Sequence, residues 1–339
     1  MSIEDLEKEL NSQKLQTLYL FYGEELFLLD SAVKKIKALF GEMVKGINYI
    51  LIDEKNINSI ISEIETPAFG YEKKLIICKN SGLLKKEGKR KNEELENLKD
   101  KLNKYIENNI QSIKDSVILV IIEEDIQKHK LVTTIEKYGA SVKFDFQKPM
   151  QIEKRIKSIC NGYKVNIDGN TLKYFIECCG TNMQELINEI RKPIEYAGEN
   201  GTINKEIIDK LCIKKIESII FELTDNLGKK QTQKSIEILR NLIYTKEPVQ
   251  KILITLYNHF KKIYFTILAE KGNKDMVEAL NLKPNQVFLV NKYKMQAKYF
   301  KERELVKILQ ELIDLDYKFK NGIIDLQVGL ESILCAYCS

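Results

Sequence analysis

The stretch that decides the fold runs from Thr17 to Phe40 and reads TLYLFYGEELFLLDSAVKKIKALF. Its first part, residues 18–22, is apolar or aromatic, and it is followed by Gly23 and two carboxylates. Apolar residues then recur at helical spacing, at Leu29, Val33, Ile36 and Phe40. This pattern predicts a strand, a tight turn and a helix.

The turn differs in composition from a nucleotide-binding loop. In nucleotide-binding α/β proteins it is glycine-rich and carries a lysine, which together hold phosphate at the helix N-terminus. Here it has one glycine, no Lys-Ser or Lys-Thr pair, and Glu24 and Glu25 where the anion would sit. Carboxylates suit the positive end of a helix dipole but repel a triphosphate. We therefore expect no bound cofactor and no intrinsic ATPase activity.

Length and composition predict a multidomain protein. A chain of 339 residues is long for one core, so two or three domains are expected. The net charge of +5 is too small to argue for nucleic-acid binding by itself.

No apolar run is long enough for a signal peptide or a membrane helix, which favours a cytoplasmic location without a membrane partner. Seven cysteines favour reduced thiols, and two histidines leave little material for a metal site.

Strand and helix patterns alternate over residues 1–148. Beyond the first strand, the apolar patterns predict a sheet and flanking helices, with strands at 48–53, 74–78, 116–122 and 141–146 and helices at 2–10 and 57–64. Such alternation implies an α/β domain with a mostly parallel sheet. Residues 85–104 predict a charged loop that leads into an exposed amphipathic helix.

After Pro149 the strand patterns nearly vanish. Residues 149–213 predict a small helical domain, in which Gly180 ends one helix and Asn204 caps a short helix that ends near Cys212. Residues 214–339 predict an all-helical domain. An all-helical domain of this size commonly packs against copies of itself or against relatives.

Three groups of residues carry possible chemistry, and each also has a simpler interpretation. The acids 123–125 follow an apolar strand and could hold magnesium, but no phosphate-binding lysine accompanies them, so a solvated strand edge is favoured. Cys178-Cys179 and Cys335-x-x-Cys338 lack the second pair of a zinc site, and buried thiols are favoured. The basic run 85–91, KKEGKRK, could follow a phosphate backbone, but an exposed loop is favoured.

The segment Thr66-Pro67-Ala68-Phe69-Gly70 interrupts the pattern between a predicted helix and a predicted strand. Pro67 disfavours helical dihedrals at Thr66, and Gly70 relaxes the backbone. A phenylalanine held between proline and glycine can fill an apolar pocket of another protein, with about 1.5–3 kcal/mol gained on full burial. The residues alone leave a second possibility equally open, in which Phe69 packs on its own domain.

Several segments resemble the delta subunits of the bacterial DNA polymerase III clamp loader. That family begins with a strand, a Tyr-Gly-Glu-Glu turn and a helix, as residues 18–40 do here. Similar segments follow in the same order over nearly the whole chain, at Gly180–Ile190, Phe221–Asp225, Gln296–Phe300 and Asp316–Gly322. No single segment is a catalytic signature, but their order and spacing are hard to produce by chance.

The resemblance implies a fold and a site. It implies an AAA+-like first domain without a working nucleotide site, a helical lid at 149–213 and an all-α collar at 214–339. It also implies that the turn of Thr66, Pro67, Ala68 and Phe69 binds the sliding clamp. Phe69 occupies the aromatic contact position, and Ala68 is smaller than the leucine or proline often found before it.

The resemblance further implies partners and a role. The beta sliding clamp would bind the first domain, and the collar would join tau/gamma-type ATPases and a delta-prime-type subunit, with DNA inside the assembly. The chain would open the clamp and belong to the DNA polymerase holoenzyme without catalysing a reaction itself. Two other functions remain open: a degenerate AAA+ ATPase, and a helical scaffold that binds nucleic acid.

Overall fold

The structure is a computed structural model that describes residues 1–85 and 92–338. It divides into two compact units, residues 1–146 and the chain from Gln147 onward. The further division of the second unit into a lid and a collar near residue 213 stays a prediction.

The first unit is built on a five-stranded sheet. Its strands are β1 (Leu18–Tyr22), β2 (Tyr49–Ile52), β3 (Lys74–Lys79), β4 (Val117–Glu123) and β5 (Ala140–Lys143). They lie in the order β2-β3-β4-β1-β5, and all neighbouring pairs are parallel. The mostly parallel sheet predicted from the sequence is confirmed.

Helices cover both faces of this sheet. They are α1 (Ile3–Asn11), α2 (Leu26–Phe40), α3 (Ile60–Glu65), α4 (Glu93–Ser116) and α5 (Lys130–Tyr138). Apolar residues of α1 and α2 form one core with alternate strand residues, and those of α3, α4 and α5 form a second core with the intervening ones. Successive residues of a strand point to opposite faces of the sheet. Because these strands are apolar on both faces, each contributes to the two cores on either side of the sheet.

Three local features of the first unit differ from the sequence predictions. The helix after the charged segment is not exposed, because its apolar stripe continues through Leu102 and Ile106 to Ile113, all buried against the sheet. The first turn of the predicted helix 57–64 is a 3₁₀ turn. Helix α5 was not among the predicted elements, although Leu131, Ile135 and Tyr138 recur at helical spacing.

The first part of the second unit is helical, with one small sheet. Its helices are α6 (Pro149–Gly162), α7 (Gly169–Cys179), α8 (Met183–Ala197) and α9 (Lys205–Leu211). Strands β6 (Asn166–Ile167) and β7 (Thr202–Ile203) pair in parallel and are too short to produce a periodic pattern. The side chain of Asn204 accepts a hydrogen bond from the Ile207 N–H (2.9 Å), which confirms the predicted cap.

The remainder of the second unit is all-helical, as predicted. Its helices are α10 (Ile216–Gly228), α11 (Thr232–Tyr244), α12 (Val249–Lys271), α13 (Met276–Ala279), α14 (Leu289–Ala297), α15 (Glu302–Lys320) and α16 (Leu326–Cys338). The buried face of α12 forms one continuous core with residues of α10, α11, α14, α15 and α16. Among the described residues, no helix is long and apolar enough to cross a bilayer.

Candidate functional site

The segment after α3 leaves the helix abruptly at Thr66. This residue is extended (φ −70°, ψ 125°), and its N–H donates to the Ser62 carbonyl. Its hydroxyl also donates to the Ser62 carbonyl, at 2.7 Å. Pro67 follows, and a proline disfavours helical dihedrals in the residue before it. The helix therefore ends where the sequence predicts.

Ala68 to Tyr71 form a β-turn that displays Phe69. The Tyr71 N–H donates to the Ala68 carbonyl at 2.9 Å, and Gly70 has φ +83°. A type II turn requires such a positive φ at its third position, which favours glycine there. Phe69 occupies the second position with 76% of its surface exposed, whereas Ala68 is half-buried. The alternative in which Phe69 packs on its own domain is therefore wrong for this structure.

A buried lysine fixes the far end of the turn. The Lys74 side chain, only 2% exposed, donates to the Glu63 carbonyl (3.0 Å), and its Nζ lies 3.8 Å from the Glu63 carboxylate. Burial lowers the pKa of Lys74, and the nearby Glu63 carboxylate opposes that shift. Because α3 and β3 are joined in this way, the chain between them, with Phe69, is held at both ends.

The turn between β1 and α2 consists of residues 23–25, and the backbone N–H groups of two of them are already hydrogen-bonded within the protein. The Gly23 N–H donates to the Glu124 carbonyl (3.1 Å) and the Glu25 N–H to the Phe144 carbonyl (2.8 Å). Gly23 has φ +125°, and a Cβ on it would lie 2.4 Å from the Phe144 carbonyl oxygen. A phosphate-binding loop needs N–H groups directed at the ligand. Here carbonyl groups of the segments after β4 and β5 accept those N–H groups.

Carboxylates surround this turn. Tyr22 pairs with Glu123 in neighbouring strands, so Glu24 and Glu25 meet residues 123–125 at one edge of the sheet. Glu124 and Asp125 are exposed, as the solvated-edge interpretation predicts.

Glu123 departs from that interpretation, since it is only 3% exposed. Its carboxylate accepts from the Ser81 hydroxyl at 2.8 Å. Burial raises the pKa of Glu123, and hydrogen bonds from Ser81, Leu84 and Leu83 oppose that shift. The side chain holds the loop after β3 in place.

Two other sequence features are only partly covered by the structure. Lys85, at the start of the basic run, is exposed, and residues 86–91 lie outside the described residues. Cys335 is exposed, while the side chain of Cys338 is not described. Cys178 and Cys179 are buried, as the simpler interpretation predicts.

A buried polar cluster in the second unit joins two segments that carried the resemblance. The Gln296 side-chain amide donates to the Phe221 carbonyl (2.9 Å), the Thr224 hydroxyl (3.0 Å) and the Asp225 carboxylate (2.7 Å). His259 Nε2 lies 2.7 Å from Gln296 Oε1. Burial lowers the pKa of His259 to about 4, so the ring is neutral at pH 7. Sequence reasoning missed His259, whose only signal was a histidine on the apolar face of a helix.

Several large apolar side chains of the all-helical region are exposed. Tyr244, at the end of α11, is 88% exposed, and Tyr317, Ile323 and Val328 on or near α15 and α16 are each more than half exposed. Apolar side chains that are exposed singly are normal on protein surfaces, and only a contiguous patch marks a binding site.

Comparison with known families accounts for both units. The family model of the DNA polymerase III delta subunit matches residues 19–145, and a second family model, for the C-terminal domain of the same subunit, matches residues 217–337. The chain belongs to the DNA polymerase III delta subunit family. Membership places this delta-family chain in the clamp loader of DNA polymerase III and in DNA replication.

Individual relatives span the whole delta-family chain. DNA polymerase III subunit delta of Bacillus subtilis (strain 168) is 26% identical over 337 residues, covering 97% of this chain and 95% of the relative. The probable delta subunit of Aquifex aeolicus (strain VF5) is 25% identical, with coverage of 89% and 85%. The solved B. subtilis DNA clamp loader delta protein superposes with a TM-score of 0.75 at 23% identity and covers 99% of each chain.

These matches confirm the family and the fold class that the sequence predicted. The α/β domain has a parallel sheet and is followed by helical regions, as the delta-family resemblance implied. The assignment of Thr66, Pro67, Ala68 and Phe69 as clamp-binding residues stays a prediction.

Proposed function

We propose that this chain binds the beta sliding clamp through the turn that carries Phe69 and stabilises an open form of the clamp ring. The observation that carries the proposal is the 76% exposure of Phe69 on a turn closed by a hydrogen bond and held between α3 and β3. Because the backbone of the turn is already held, mainly the two side-chain torsions of Phe69 lose freedom on binding. This side chain is therefore suited to be the main apolar contact of an interface.

The clamp opens in this proposal through binding energy alone. A ligand shifts an equilibrium only through its different affinities for the two states. Docking of Phe69 would favour a distorted clamp whose subunit interface is open. ATP bound by neighbouring motor subunits would make the first domain accessible, and loading onto primed DNA with ATP hydrolysis would release the clamp.

We further propose that the all-helical region joins the other subunits of the loader. Its exposed apolar residues, among them Tyr244, Tyr317 and Val328, supply surface for tau/gamma-type ATPases and a delta-prime-type subunit. DNA would be held inside the resulting assembly rather than bound by this chain alone.

An ATPase function receives less support than clamp binding. The N–H groups of Gly23 and Glu25 are already hydrogen-bonded within the protein, and carboxylates stand at the edge where phosphate would bind. Failure of the purified chain to bind ATP is the corresponding expectation. Steeply salt-dependent DNA binding without the clamp would instead favour the scaffold alternative.

The test is binding of the purified chain to the sliding clamp of the same organism, without nucleotide, for the unchanged protein and for Phe69→Ala. Loss of a central aromatic contact costs about 2 kcal/mol or more, so we expect affinity to fall at least about 30-fold. Phe69 buries little of its surface in the chain itself, and the unfolding free energy should change by less than about 0.5 kcal/mol.

Leu26→Ala provides the matched control, since Leu26 is also an exposed apolar residue of the first unit, at 60% exposure. It should leave clamp affinity unchanged. Equal binding by the unchanged protein and Phe69→Ala would remove the proposed contact. Absence of binding by a folded chain would contradict unaided clamp binding altogether.

A further inference from the structure

The helical region before α10 contains a group of metal-binding side chains that the sequence did not bring together. Cys179 ends α7, Glu189 lies in α8 and Cys212 immediately follows α9. One ligand atom from each, two sulfurs and a carboxylate oxygen, lies within 4.8 Å of the other two. Both cysteines are buried, and the Glu189 side chain is only 16% exposed. No local spacing in the sequence links Cys212 to Cys178 and Cys179.

We propose that Cys179, Cys212 and Glu189 bind one thiophilic divalent cation, for which Zn²⁺ is the best fit. Tetrahedral zinc has Zn–S distances of about 2.3 Å and Zn–O distances of about 2.0–2.2 Å, which place neighbouring ligand atoms less than about 4 Å apart. The three ligand atoms lie within 4.8 Å of one another, so small side-chain movements would bring them to the distances that zinc needs. Two thiolates select zinc over magnesium or calcium. A water molecule completes the fourth position.

The charges around the group balance such a site. Two thiolates and the Glu189 carboxylate carry three negative charges, and Zn²⁺ offsets two of them. The third is matched by Lys192, whose ammonium group lies 2.8 Å from both carboxylate oxygens. The Ile213 N–H donates to the same carboxylate at 2.8 Å. Outer hydrogen bonds of this kind orient metal ligands.

Thiols must lose their protons to coordinate Zn²⁺. Binding of Zn²⁺ at Cys179 and Cys212 would therefore release protons, as it does at cysteine sites generally.

The group lies where a bound cation would link three helices of this region. It joins the ends of α7 and α9 to the middle of α8, close to where the chain enters α10. The Lys215 N–H already donates to the Cys178 carbonyl (2.8 Å), which ties the same two segments. A bound cation would add a cross-link at the end of this helical group, independent of any contact with the clamp.

The test is metal content and affinity of the full chain. Protein with reduced thiols is dialysed against Zn²⁺ and then against metal-free buffer, and zinc is measured by elemental mass spectrometry. We expect about one zinc per chain. Cys179→Ala and Cys212→Ala should each lose it, whereas Cys335→Ala, which changes an exposed thiol elsewhere, should retain it.

Two further measurements keep the proposal testable if a cysteine variant fails to fold. Glu189→Gln keeps an acceptor for the Ile213 N–H but removes a charged ligand. It should weaken zinc binding at least as much as loss of an outer hydrogen-bond partner does, about 10-fold or more, in competition with a chromophoric chelator. Co²⁺ in place of zinc should produce thiolate charge-transfer absorption that both cysteine variants lack.

Three results would overturn the assignment. The first is no zinc retained by the unchanged protein. The second is zinc retained equally by folded Cys179→Ala and Cys212→Ala variants. The third is a Cys179 to Cys212 disulfide recovered from protein that never binds metal, which would make the pair a redox site instead.

Discussion

Replacement of Gly23 by alanine should destabilise the first unit more than almost any other single-methyl change. The residue has φ +125°, a conformation that side chains with a Cβ rarely adopt. Holding such a residue there costs about 1–3 kcal/mol. The new Cβ would also lie 2.4, 2.7 and 2.9 Å from backbone atoms of Phe144, which cannot rotate away. Displacing that segment costs about another 1–3 kcal/mol.

Two other glycines of the same unit separate these contributions. Gly41 has φ +91° but nothing within 4 Å of the position that a Cβ would take, so Gly41→Ala should show the conformational cost alone. Gly139 has a negative φ (−158°), outside the left-handed region, and its Cβ would lie 2.1 Å from the Leu18 carbonyl oxygen. Gly139→Ala should therefore show the steric cost alone. Gly23→Ala combines both and should be destabilised by about 2–6 kcal/mol.

Hydrogen exchange followed by mass spectrometry is the suitable assay, because it reports opening free energies of β1 and β5 within the full chain. The two units need not unfold together, so a single melting temperature would mix them. If Gly23→Ala and Gly41→Ala lower the opening free energy of β1 equally, the contact with Phe144 does not restrain the turn. Our account of why that turn lacks room would then fail.

Two further predictions concern buried polar groups. His259 has a pKa of about 4 when folded and about 6.5 when unfolded. Its contribution to the free energy of unfolding is therefore complete above pH 6.5 and is lost as the pH falls towards 4. The loss should reach about 3 kcal/mol near pH 4, measured by exchange of α12 amides, and His259→Gln should remove that part of the pH dependence. Ser81→Ala leaves the buried Glu123 carboxylate without its hydroxyl donor. It should lower the opening free energy of β4 by about 1–3 kcal/mol. Ser31→Ala, an exposed serine on α2, should change that value by less than about 0.5 kcal/mol, and an equal effect of both would contradict the role given to Ser81.

Local chemistry made part of the candidate site predictable. Pro67 and Gly70 predict the helix end and the turn around Phe69 from the preferences of single residues. The exposure of Phe69 could not be predicted, because it depends on which side chains from elsewhere pack around the turn. For the same reason the sequence predicted a solvated Glu123 at the edge of the sheet. In the structure its carboxylate is buried and accepts a hydrogen bond from Ser81, which is distant in sequence.

The sequence by itself determined the five strands of the first unit and the unsuitability of the turn at Gly23 for phosphate, and its resemblance to delta subunits indicated the family. The strands and the turn chemistry follow from periodicity, turn residues and charge, which act between neighbours in the chain. Only the tertiary structure decided that Phe69 projects into solvent, that His259 binds Gln296 and that Cys179 lies beside Cys212 and Glu189. Each of these depends on how separate helices pack, and no local pattern specifies which distant side chains meet.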